Sequence, residues 1–199
     1  RSERALGTLA GEIGGEVLVA DLMDDVATWE ALDRMVERLG GPPDVVVNSA
    51  GVFAIAFAHV ETVKGFDAAL AVNLRGTFLV NRALLPGMLK RRSGLLINVG
   101  SVAGRRALRG NAAYSASKFG LRGYHEVLLE ELRGTGVRAT LVEPAATDTP
   151  IWDPLDPDRD PRLPDRSQML RVDDVAEAVL FVATRREEVR IPLLQIERA

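Results

Sequence analysis

The feature that most restricts this chain is the recurrence of short, unbroken apolar runs between segments of helical period. Val17-Leu18-Val19-Ala20, Val45-Val46-Val47, Leu95-Leu96-Ile97-Asn98-Val99 and the stretch from Val137 to Val142 are runs of this kind. A run apolar on both of its alternating faces reads as a buried strand, and such strands belong to a parallel sheet with helices on each side. The intervening segments supply those helices. Ala5, Leu6, Leu9 and Ile13 lie at helical spacing in the first, which covers residues 2–12 and ends at Gly14-Gly15. Val26, Trp29, Leu32, Met35, Val36 and Leu39 share one face of a helix over 24–39, and Gly40-Gly41-Pro42-Pro43 ends it. Further helices are predicted over 62–91, 112–133 and 173–185, with a last strand near 191–196. The pattern predicts one α/β domain over 1–199, a three-layer α/β/α doubly wound parallel sheet.

Residues 150–165 break the rhythm. Five prolines (Pro150, Pro154, Pro157, Pro161 and Pro164) alternate there with Asp153, Asp156, Asp158, Asp160 and Asp165. No helix or strand is expected through that spacing. The segment follows the Val137–Val142 strand, and ligands of open α/β sheets bind beyond the carboxyl ends of strands. A loop over 150–170 is therefore expected to act as a lid on a substrate.

Composition removes several classes of function. With 28 acidic against 25 basic side chains, net charge -3 and pI near 5.5, no broad basic surface for nucleic acid is implied. No apolar run approaches the roughly 20 residues of a membrane helix. The chain has no cysteine, which removes disulfides, thiolate metal sites and a cysteine nucleophile. The first residues carry no secretory signal, so a cytoplasmic protein is expected. They also lack an initiator Met, and a natural chain longer at its N-terminus is expected.

The chemistry concentrates in Tyr114-Ser115-Ala116-Ser117-Lys118. A tyrosine and a lysine four apart at a helix start project from one face. A cation beside a phenol favours phenolate and brings an ordinary pKa of about 10 towards the useful range. Ser101 leaves the carboxyl end of the Leu95–Val99 strand, with twelve residues between it and Tyr114. Asn48-Ser49-Ala50-Gly51 leaves the preceding strand in the same manner, and Asn73 sits inside a helical stretch that asparagine does not favour.

In this order and spacing the chain resembles the short-chain dehydrogenase/reductase family, over nearly all of its length. The resemblance implies that Tyr114 is the general acid/base and that Ser101 orients a substrate carbonyl or hydroxyl. It implies that Lys118 lowers the Tyr114 pKa and bonds the nicotinamide ribose, and that Asn73 holds a water in a proton relay. Asp21 and the adjacent Leu22 match the adenine side of the cofactor site, and Asn48, Ala50 and Gly51 match the adenosine-ribose contacts. Pro144, Ala145, Thr147 and Thr149 match the loop beside the nicotinamide. Hydride passes directly between nicotinamide and substrate, so no metal or thiol is required. His59 and His125 are expected to be structural or exposed rather than catalytic.

Two departures from the family accompany the match. Ala145 stands where the family usually has glycine, which adds a Cβ close to the nicotinamide. The glycine-rich turn that holds a pyrophosphate on a helix N-terminus is absent, and Gly7 to Gly14 precedes a strand rather than following one. By resemblance the first two strands of the fold are missing, and Val17–Ala20 is expected to lose its neighbour. Arg1 aligns with an arginine that meets a 2′-phosphate, so NADP(H) is favoured over NAD(H). The sequence reads as an NAD(P)(H)-dependent oxidoreductase of small carbonyl or alcohol substrates, assembled as a homodimer or homotetramer. A non-catalytic scaffold acting by association is the alternative. A nucleotide-sugar epimerase or dehydratase is disfavoured by the short stretch after Pro144.

Overall fold

Leu95, Leu96 and Ile97 are almost wholly withdrawn from solvent, and the structure is built outward from them. They lie in β2 (Gly94–Val99) of a computed structural model that describes residues 3–199. β1 (Val45–Asn48) pairs with β2, β2 with β3 (Val137–Pro144), and β3 with β4 (Leu193–Ile196). All three pairings are parallel and the order is β1-β2-β3-β4.

Alternate residues of a strand face opposite sides, and each side of β2 meets its own layer. On one side Leu96 packs with Val46, Val137 and Ala139 against Leu84 and Met88 of α4 (Gly76–Arg91) and Leu128 of α5 (Ala112–Glu131). On the other, Leu95, Ile97 and Val142 meet Val182 of α6 (Val172–Ala183). The chain is thus an α/β fold with helices on both faces of an all-parallel sheet. Outside α4 lies α2 (Asp25–Leu39), which adds Met35 and Val36 to the first cluster. Asp24 caps its start by accepting from the Ala27 N–H at 2.9 Å. Gly40, at φ 70°, ends it in the left-handed conformation that glycine adopts without a Cβ penalty. α1 (Glu3–Ile13) buries none of its residues.

Three expectations are corrected. Residues 17–20 form no strand, and Val19 is half exposed. A strand is held by backbone bonds to a neighbour, and no strand pairs with this segment. β1 is consequently an edge, and only Val46 of its three valines is buried. The 62–91 helix divides into α3 (Val63–Leu70), a π-helical turn Ala71–Arg75 and α4. The proline-rich segment contains a 3-10 helix, Pro150–Leu155, despite its prolines. Pro150 stands at the helix start, where its missing N–H costs nothing.

Candidate active site

The carboxyl ends of three adjacent strands open into a cavity of about 990 Å³. β1 delivers Ser49, Ala50 and Gly51 to it, β2 delivers Ser101, and β3 delivers Pro144, Ala145, Thr147 and Thr149. Tyr114 and Lys118 enter from the first turns of α5. Parallel strands put all their carboxyl ends on one side of the sheet, which is why residues so distant in sequence meet here.

Ser101 and Tyr114 share a side-chain hydrogen bond. Ser101 Oγ also accepts from the Ala103 N–H at 3.1 Å, which caps the short 3-10 turn Val102–Gly104. That turn lies directly on α5. A Cβ on Gly104 would stand 2.8 Å from the Lys118 carbonyl oxygen, so only glycine allows this approach. Lys118 donates from Nζ to the Val99 carbonyl at 2.9 Å, and Nζ lies 5.7 Å from the Tyr114 ring centroid.

The electrostatics differ from the expectation. Burial pushes the Tyr114 phenol above its ordinary pKa of 10.0, and the Ser101 bond offsets part of that rise. Burial also takes Lys118 from 10.5 down to about 8. Desolvation penalises phenolate and ammonium alike, and here it outweighs the attraction between them. The resting phenol is therefore a protonated group, suited to donation.

Asn73 lies in the π turn and is 1% exposed. Its Oδ1 accepts from the Val52 N–H at 2.8 Å, and its Nδ2 donates to the Val52 carbonyl at 3.0 Å and to Ser117 Oγ at 3.0 Å. Ser117 in turn donates to the Tyr114 carbonyl at 2.6 Å. This chain ties the loop after β1 to the first turn of α5, and the side chain of Asn73 is spent on protein partners.

Asn48 also turns away from the cavity. Its Nδ2 donates to Asn81 Oδ1 at 2.8 Å and to Asn98 Oδ1 at 2.9 Å, within a buried polar cluster that includes Tyr124 and His125. Asp21 accepts from the Met23 N–H, and Leu22 packs where a Cβ on Gly76 would stand, so neither lines the cavity. Arg1 lies outside the described residues. His59 stacks on Phe57 at 6.0 Å, and His125 is buried with its Nε2 3.0 Å from the Pro192 carbonyl.

The sequence reading missed several walls of the cavity. Phe53 stands edge-on to Tyr114, with centroids 4.7 Å apart, and to Trp152 at 5.0 Å. Trp152 anchors its indole N–H on the Thr147 carbonyl at 3.1 Å. An aromatic two residues beyond the Asn48–Gly51 turn, and a tryptophan within the proline-rich segment, were the available signals. Residues 150–165 contribute Ile151, Trp152, Leu155, Asp160, Arg162, Leu163 and Pro164 to the lining. Arg166 ties that segment down through Asp148, Asp153 and Asp158.

The donor set fits the nicotinamide end of a dinucleotide. An ammonium has three N–H groups and Lys118 uses one on Val99, which leaves two for ribose hydroxyls. Among the described residues no glycine-rich turn between a strand and a helix offers a pyrophosphate site.

A family model described as short chain dehydrogenase matches residues 1–160. D-threitol dehydrogenase of Mycolicibacterium smegmatis is 34% identical over 185 residues, covering 88% of this chain and 71% of the relative. The NADP-dependent 3-hydroxy acid dehydrogenase of Salmonella typhi is 31% identical over 204 residues, covering 98% and 82%. The closed form of serine dehydrogenase complexed with NADP+ superposes with a TM-score of 0.84 at 29% identity, covering 98% of this chain and 82% of that one.

Proposed function

Since the chain belongs to the short-chain dehydrogenase family, and is an NAD(P)-dependent oxidoreductase by that membership, we propose that Tyr114 is its acid/base group and that its substrate is a small carbonyl compound or the matching alcohol. The observation that carries this reading is the convergence of Ser101, Tyr114 and Lys118 on one cavity at the strand ends.

A nicotinamide, when bound, supplies or takes the hydride at the substrate carbon. The remaining work falls to side chains of this protein. Tyr114, protonated at rest, donates its proton to the carbonyl oxygen during reduction and recovers it during oxidation. Ser101, already bonded to Tyr114, holds that oxygen beside the phenol. Lys118 anchors the cofactor ribose with its free N–H groups and keeps positive charge near the phenolate that forms. Asn73 is a positioning residue that sets α5 against the Val52 loop. Pro144, Ala145, Thr147 and Thr149 bound the nicotinamide end, while Ala50 and Gly51 bound the adenosine side. Segment 150–170 covers the substrate and excludes water.

NADP(H) is the favoured cofactor, supported by the NADP-dependent relative. The relatives' names span a neutral polyol and a 3-hydroxy acid, so the substrate must be read from this pocket. No helix among the described residues is long and apolar enough to cross a membrane. Exposed Phe66, Phe78, Phe119 and Val127 on α3, α4 and α5 support a homodimer or homotetramer built through these helices.

Tyr114→Phe tests the reading. Reduction of carbonyl compounds with NADPH should fall at least ~10²-fold with little change in cofactor affinity. Turnover retained in that variant would refute the assignment.

A further inference from the structure

We propose that the pocket takes a substrate with an apolar body and a carboxylate, the carboxylate being held by Arg109 at the pocket mouth. The inference rests on the oxidoreductase reading above and adds the class of substrate.

Charged side chains in the pocket lining are few. Arg162 grips Asp160 through Nε at 2.8 Å and Nη2 at 2.6 Å, and the two cancel. Lys118 is buried at the base, bonded to Val99. Arg109 is different. Among the described residues its guanidinium has neither a hydrogen bond nor an ion pair; it lies over the Phe57 ring, 5.1 Å from the centroid.

The backbone fixes this placement. Ala56 donates to the Gly110 carbonyl at 2.8 Å, and Ala56 and Asn111 form an isolated parallel bridge. These two contacts set Arg109 and Phe57 side by side, and both line the pocket. A guanidinium stacked on an aromatic face keeps its N–H edge free, and that planar fork matches two carboxylate oxygens. One unpaired guanidinium also matches a single negative charge. A phosphate monoester, near -2 with three acceptor oxygens, would ask for donors that this mouth does not have. The walls between Arg109 and the base include Phe53, Ile55, Val60, Leu108, Trp152 and Leu163. They suit a hydrocarbon body and would strand the hydroxyls of a polyol.

Calorimetric titration of the full chain with hexanoate and with its neutral analogue hexanamide tests the proposal without turnover. Hexanoate should bind roughly tenfold more tightly at low ionic strength, and the difference should shrink with salt. Arg109→Met should bring the two ligands within about twofold while leaving hexanamide unchanged, and Arg109→Lys should retain part of the preference. Arg162→Met should keep the preference. Equal affinity for the two ligands, no binding of either, a preference surviving Arg109→Met, or its loss in Arg162→Met would each overturn the assignment. A hexanoate preference in a protein that turns over no carbonyl compound or alcohol with NADP(H) or NAD(H), hydroxy acids included, would leave the carboxylate site standing and remove the Tyr114 acid/base reading instead.

Discussion

Lys118 Nζ lies 5.7 Å from the centroid of the Tyr114 ring while donating to the Val99 carbonyl at 2.9 Å. The helix that carries both residues is therefore pinned to the end of β2 by the ammonium proposed to stabilise a phenolate. Holding an ammonium there has an energetic consequence. Burial brings Lys118 to about 8 from 10.5, so the folded protein releases this proton before the unfolded chain does.

The sign of the linkage follows. Between pH 8 and 10.5 the unfolded state binds the extra proton, and stability rises with pH through that window. Below pH 8 the full penalty is present, about 3 kcal/mol at 1.36 kcal/mol per pKa unit. Lys118→Met should accordingly lose activity yet gain about 2 kcal/mol in stability at pH 7, after the loss of the Val99 bond. Denaturant midpoints at pH 7 check this, and a lower midpoint would contradict it. In the wild type, affinity for NADP+ should weaken as pH passes 8.

The Ser101 bond is the one influence that draws the Tyr114 pKa downward against burial. Ser101→Ala should raise that pKa further, so the pH dependence of alcohol oxidation, which needs phenolate, should move to higher pH. Turnover at neutral pH should fall about 10²-fold. An unchanged pH profile would show that the two side chains are not coupled in the working enzyme.

Asn73 satisfies both backbone groups of Val52 and joins them to Ser117. Asn73→Ala leaves the Val52 N–H without this acceptor and should cost about 2–3 kcal/mol in chemical denaturation. Catalysis should fall as well, because Tyr114 shares the tether through Ser117. A variant as stable as wild type would remove the positioning role.

Glu143, 1% exposed, immediately precedes Pro144 and accepts from Arg122 Nη1 at 3.0 and 3.1 Å and from Gln195 at 3.1 Å. Arg105 stands 3.4 Å away on the segment that follows Ser101. Removing the carboxylate leaves two partly exposed guanidinium groups without their buried partner. Glu143→Ala should destabilise by about 3 kcal/mol, and Glu143→Gln, which keeps shape and one acceptor, by less. Thermal melts of the two variants against wild type decide it, and melting temperatures equal to that of the wild type would contradict the ionic account.

Local chemistry made much of this protein legible before any tertiary contact was known. Helical and strand periods placed the main elements, because burial of one face imposes a period on the side chains. The spacing of Tyr114 and Lys118 put both on one side of α5, and the strand before Ser101 put its hydroxyl at the carboxyl edge. The remainder depended on neighbours remote in sequence. Val17–Ala20 has the composition of a strand, but a strand exists only beside another. Asn48 looks available to a ribose until Asn81 and Asn98 arrive from α4 and β2 to occupy it. Tyr114 titrates upward because it is buried, with Phe53 from the loop after β1 edge-on to its ring, and none of that burial is written in residues 112–118. Periodicity and spacing act along the chain, whereas desolvation and partner choice act across space, and only the folded structure decided those.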